Sequence, residues 1–143
     1  MVGVILFSFV GMFFGFLAAD DLVKSIVKSN SLERFLNRLD KFDLWLGILG
    51  IFVGIWNLFS PNFGFSVGVA GADITIFGAL IPSGLVILSG ISISLNYILQ
   101  VINVDAEKKE KILLMRNQYS DLIGVLTFVF CFLHLFSHST VLL

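Results

Sequence analysis

Between its charged segments the chain runs apolar four times: Val2 to Ala19, Leu44 to Phe59, Pro82 to about Val101, and Leu122 to Leu143. A bilayer core of about 30 Å takes roughly 20 helical residues, and about 17 suffice. The second run meets that length by borrowing a turn from its flanks. The pattern predicts four transmembrane helices. The first run does not read as a cleaved signal, because no positive charge precedes Val2 and Ala18-Ala19 makes a poor cleavage site. Residue 1 is therefore expected in the mature chain.

The charged segments carry their own periodicity. Leu32, Phe35, Leu36, Leu39 and Phe42 recur at helical intervals behind Asn30 and Glu33, which have the spacing of a capping box. Ile112, Met115, Tyr119 and Leu122 do the same behind Asp105. Neither stripe meets a Pro or Gly before the apolar run that follows it. Helices two and four are therefore predicted to extend two to three turns beyond the membrane, rather than to begin with a separate helix lying flat on it.

An ungapped shift of 77 residues lays Leu46–Ser60 on Ile123–Ser137, matching Gly47 with Gly124, Leu49 with Leu126, and Leu58-Phe59-Ser60 with Leu135-Phe136-Ser137. Asn57 falls on His134. Helices one and three align less well, with Gly11 and Gly90 as the anchor. The sequence thus reads as one all-α, four-helix integral membrane domain over 1–143, built from two duplicated hairpins (1–60 and 82–143) in parallel relationship. The connection 61–81 holds one charge, Asp73, among Gly64, Gly68, Gly71 and Gly78. It is expected to be a packed loop on the outer side.

Composition makes the membrane reading stronger. Hydrophobic residues are 57% and charged residues 13%, against about 45–50% and 25% in soluble domains; mean hydropathy is +1.00. That supply of charge does not furnish a water-facing surface. Lys24, Lys28, Arg34, Arg38 and Lys41 precede helix two; Lys108, Lys109, Lys111 and Arg116 precede helix four; together they are all 9 cations of the chain. The positive-inside rule then puts both segments in the cytoplasm and both termini outside, in a cytoplasmic membrane. With 9 cations against 10 carboxylates, no polybasic nucleic-acid surface is expected.

Candidate chemistry is sparse. Ser89, Ser92, Asn96, Gln100 and Asn103 share one face of helix three, and Asn57 and His134 sit toward the outer ends of helices two and four. These intramembrane polar residues are the candidate binding positions. They either line a hydrated path or bond neighbouring helices, and the second is expected. His134 and His138 have a spacing that two metal ligands share, but the outer half supplies no further ligand except Asp73, so no metal is expected. Gly11, Gly15, Gly50 and Gly54 form two G-x-x-x-G patterns, expected at helix contacts. Asp20, Asp21, Asp43 and Asp121 gather at the inner boundary, where pairing with nearby cations is expected. Cys131 sits among Phe and Leu and is expected to pack.

No nucleophile elbow, zinc-protease helix or phosphate loop occurs. Neither a catalytic residue nor a cofactor is expected. The sequence is best read as a small non-catalytic subunit or accessory of a larger membrane assembly. Its expected partners are the lipid bilayer, other membrane subunits or itself, and cytoplasmic proteins at 24–42 and 105–120. A channel or carrier for an ion or small solute is the alternative.

Overall fold

A computed structural model describes residues 2–60, 63, 80–102 and 104–137. All regular structure among them is helical. The helices are α1 (Val2–Ala18), α2 (Asp20–Ile26), α3 (Asn30–Leu39), α4 (Asp43–Phe59), α5 (Ile81–Val101) and α6 (Ala106–Ser137). Three helical stretches, 30–59, 81–101 and 106–136, are long and apolar enough to cross a membrane; α1 with α2 makes a fourth if that pair, bent by 78°, counts as one span.

The bend falls where the sequence changes character. α1 is charge-free, and α2 starts at Asp20-Asp21, so the chain turns aside where burying it further would bury carboxylates. A short 3₁₀ turn, Asp40–Phe42, carries α3 into α4. The 30-residue stretch through α3 and α4 and the 32-residue α6 both exceed the roughly 20 residues that a bilayer core takes. The capping box assigned to Asn30 is not formed. Ser29, in extended conformation, is the N-cap, and no side chain caps the helix; Asn30 is already inside it.

α3 is not a free projection. It is amphipathic, and Leu36, 1% exposed, docks into the cluster that includes Leu17, Ile93 and Val86. Within the bundle, α4 packs most extensively on α5, and α1 on α6; α1 and α5 meet at the centre, and α5 also borders α6. The first hairpin's own members, α1 and α4, touch only marginally. Pro82 sits in the first turn of α5, where its missing N–H leaves no bond unmade. The expected loop at 64–79, with Asp73, lies outside the described residues.

Candidate functional site

The polar interior is built on stripes of small residues. On α4 the buried positions are Gly47, Gly50, Gly54 and Asn57; on α6 they include Gly124, Thr127, Cys131 and His134. Both sets run at steps of three, four and three, the spacing that keeps a face turned inward. Where two stripes cross, backbones meet. A Cβ on Gly15 would lie 2.7 Å from the Gly124 carbonyl oxygen, and one on Gly47 would lie 2.6 Å from that of Gly90. Gly54 faces the Ser83 carbonyl at 2.7 Å, Gly50 faces the Phe14 ring and Gly90 at 3.1 Å, and Gly11 abuts the Cys131 sulfur.

Such close crossings put polar side chains within reach of the next helix. Asn57 is fully buried and its Nδ2 donates to Ser83 Oγ at 2.9 Å. Ser89 Oγ lies 2.8 Å from Thr127 Oγ1. The Thr127 oxygen is also 2.7 Å from the Ile123 carbonyl and 3.1 Å from that of Leu85. His134, 1% exposed, stacks edge-on against Phe7 with ring centres 5.6 Å apart. Phe63 meets the same Phe7 ring at 5.9 Å. His138 lies outside the described residues, so the histidine pair is not placed as a pair.

The polar face of α5 divides. Ser89 and Ser92 are buried, but Asn96 and Gln100 are exposed, and Asn103 lies outside the described residues. The stripe therefore does not act as a unit. The expectation that Ser92, Asn96 and Gln100 all turn into the bundle fails for the last two. Beyond Ile93 the covered side of α5 is the one that carries Ser94 and Leu99, both buried, so the face of Asn96 and Gln100 looks outward.

Toward the other end of the bundle, carboxylates from four elements gather: Asp20 of α2, Asp40 of the 3₁₀ turn, Asp43 of α4 and Asp121 of α6. Asp20 pairs with Lys24 at 2.9 Å. Asp121 Oδ1 accepts from the Leu22 N–H at 3.2 Å, so α6 caps the first turn of α2. Asp20, Asp40, Asp43 and Arg116 line a cavity of about 30 Å³, closed by Leu17, Leu36, Leu39 and Ile93. That is room for a water. Arg116 Nε donates to the Ser92 carbonyl at 3.1 Å and Nη1 to Asn117 Oδ1 at 3.3 Å. Asp43 precedes the charge-free part of α4. Its carboxyl is pushed up to about 6, first by burial and then by Asp40 and Asp20, with Arg116 and Lys24 opposing.

Thr127, Ser83 and the Arg116–Ser92 link are the pieces that sequence reasoning passed over. The signal for Thr127 is present: Ser120, Gly124, Thr127, Cys131 and His134 repeat at steps of four and three, and all are buried. Replacing Asn57 with Leu strands the buried Ser83 hydroxyl and should lower stability by about 1 kcal/mol, the scale of interhelical hydrogen bonds in membranes. Thermal unfolding in mild detergent reads this directly, and an unchanged midpoint would show that the bond contributes nothing.

A protein-family model matches residues 1–134. No curated protein and no solved structure matches the chain.

Proposed function

We propose that this chain, which belongs to the family whose model matches residues 1–134, is a small non-catalytic membrane protein that serves as a subunit or accessory of a larger membrane assembly. It crosses a cytoplasmic membrane four times, with the cationic segments inside and both ends outside. The observation that carries the reading is how the interior is used. Asn57, Ser83, Ser89 and Thr127 bond across helix crossings, and the crossings themselves are backbone contacts at glycine. Groups held this way serve packing and are not available to a solute.

The duplicated-hairpin reading belongs to the same proposal, and the contacts support it. A shift of 77 maps Gly47, Gly50, Gly54 and Asn57 of α4 onto Gly124, Thr127, Cys131 and His134 of α6. A shift of 75 maps Ser8, Gly11, Gly15 and Ala18 of α1 onto Ser83, Val86, Gly90 and Ile93 of α5, and all sixteen are buried. Under these shifts the Gly47–Gly90 crossing corresponds to Gly124–Gly15, and Gly50 against Phe14 corresponds to Thr127 against Ser89. Gly11 and Val86, which correspond to each other, are in mutual contact. That is what a twofold axis between the parallel helices α1 and α5 requires. The anchor in α1 is Gly15, not Gly11.

Two experiments test this. Single cysteines at Lys28 and Lys109 in a Cys131→Ala background should resist an impermeant thiol reagent in intact cells, while one at Asn62 reacts; the reverse pattern overturns the orientation. For the role itself, vesicles containing the purified protein should be no more permeable to ions or small solutes than empty ones. Mild solubilisation of native membranes should then release the chain in fixed stoichiometry with other subunits. A permeability that Asn57→Leu abolishes without unfolding the protein would make it a channel or carrier.

A further inference from the structure

At Ala19 the chain leaves α1 and turns by 78° into α2. The bend comes from the local sequence and not from the packing that α1 shares with its counterpart. In α5 the positions that correspond to Asp20 and Asp21 are Leu95 and Asn96, and that helix runs on to Val101. α2 is short but two-sided. Leu22, Val23 and Ile26 lie on one side, with Asp20, Asp21, Lys24 and Ser25 on the other. Ile26 is 70% exposed. Against the apolar side lies an open, apolar recess of about 230 Å³, walled by Gly15 and Phe16 of α1 and by Gly124, Val125, Phe128 and Val129 of α6.

We propose that α2 lies in the plane of the inner membrane boundary, its apolar side resting on acyl chains of inner-leaflet phospholipid that fill this recess. The inference rests on the membrane placement given above, and three features of α2 carry it further. The first is direction. α1 supplies 17 residues, about the shortest run that crosses a bilayer core, so α2 begins at the boundary. A helix that leaves a crossing one at 78° runs nearly parallel to the surface.

The second is depth. The Leu22 N–H donates to Asp121 at 3.2 Å, which ties α2 to the level where α6 passes from its charged part into its apolar run. The α6 wall of the recess extends from Gly124 to Val129, three to eight helical steps past Asp121. At 1.5 Å per step that is about 4 to 12 Å beyond the boundary, within one leaflet of about 15 Å. The apolar side of α2 therefore overhangs hydrocarbon, and its carboxylates and Lys24 face water.

The third is continuity. Val125, Phe128 and Val129 are exposed on the part of α6 that the bilayer surrounds, and the recess joins that surface to Ile26. Lipid that covers the one extends to the other. Headgroup charge does not choose the lipid, because Asp20 and Asp21 balance Lys24 and Lys28, and Lys24 is paired with Asp20 at 2.9 Å. Burial of apolar surface drives the contact.

Spin labels test this. Single cysteines replace Ile26 on the apolar side, Asp21 and Ser25 on the polar side, and Leu49 on α4, all exposed positions, in a Cys131→Ala background. The protein is held in phosphatidylcholine bilayer discs, and collisions of each label with oxygen, which concentrates in hydrocarbon, are compared with those of a water-soluble nickel chelate. The oxygen-to-chelate ratio should be about threefold or more higher for Ile26→Cys than for Asp21→Cys and Ser25→Cys, and Leu49→Cys should read as hydrocarbon. Replacing a third of the lipid by phosphatidylglycerol should leave the pattern unchanged. If Ile26→Cys meets the chelate as freely as Ser25→Cys while Leu49→Cys is shielded, α2 stands in water and the inference is overturned with the membrane placement intact. A difference that arises only with phosphatidylglycerol overturns it too, since the lysines would then be the anchor. If Leu49→Cys is itself open to the chelate, the membrane placement fails and the inference falls with it.

Discussion

Gly15→Leu should destabilise the bundle by about 1–3 kcal/mol or more, the range for overpacking a well-filled core, and Gly84→Leu should not. The difference is local geometry, since both glycines are helical. A Cβ on Gly15 would meet the backbone nitrogen of Phe128 at 2.6 Å and the carbonyl of Gly124 at 2.7 Å, whereas one on Gly84 would have nothing within 4 Å. A flexible side chain can step aside from a clash of that size. Backbone can do so only if a whole helix moves, so α1 and α6 must separate along the surface where they pack most. Gly84→Leu replaces the poorer helix former of the two and should be neutral or slightly stabilising. Thermal unfolding of the two variants in the same detergent makes the comparison. Equal midpoints for wild type and Gly15→Leu would mean that the α1–α6 crossing is not what holds the bundle together.

The helices themselves were legible in the sequence because long apolar runs leave few alternatives; the boundaries at Ala18 and Val101 lie just before the carboxylates Asp20 and Asp105, and that at Phe59 lies just before Ser60-Pro61. The partners of each helix were less legible. Chain order suggests that α1 packs on α4, yet α1 packs on α6 and α4 on α5. The stripes that decide this are made of Gly, Ser, Ala and Thr, which hydropathy hardly distinguishes from their neighbours. Small residues matter through what they allow to approach, and that is a property of two helices at once. Asn96 and Gln100 illustrate the converse. Periodicity correctly puts them on the face of Ser92, but which side of α5 is covered at that height depends on where α4 and α6 lie. The acid cavity was half legible, since its carboxylates were visible at the inner boundary while the docking of Leu36 above them was not.

Asp43 should make the protein less stable as pH rises, which is the reverse of the usual carboxylate effect. Its carboxyl is raised from the ordinary 3.8 to about 6 because folding half-buries it and sets it near Asp40 and Asp20, with Arg116 and Lys24 compensating only in part. A raised value means that the folded state prefers the protonated form. The contribution is therefore fully present below about pH 4, is lost progressively as pH climbs through about 6, and is flat beyond that. A displacement of this size would be worth about 3 kcal/mol for a dry site. Asp43 is half open to solvent, so screening reduces the effect to the order of 1 kcal/mol. Asp43→Asn keeps the shape, removes the charge and abolishes this dependence. Its unfolding midpoint should exceed that of wild type at pH 7.5, and the gap should close as pH falls below about 4. The gain should appear first in α3, whose Leu36 and Leu39 close the cavity that Asp43 shares with Asp20, Asp40 and Arg116. Proteolysis within 30–39 should accordingly slow in the variant at pH 7.5. If wild type and Asp43→Asn lose stability in parallel across this range, the repulsion among these carboxylates is relieved by solvent and α3 is held by its leucines alone.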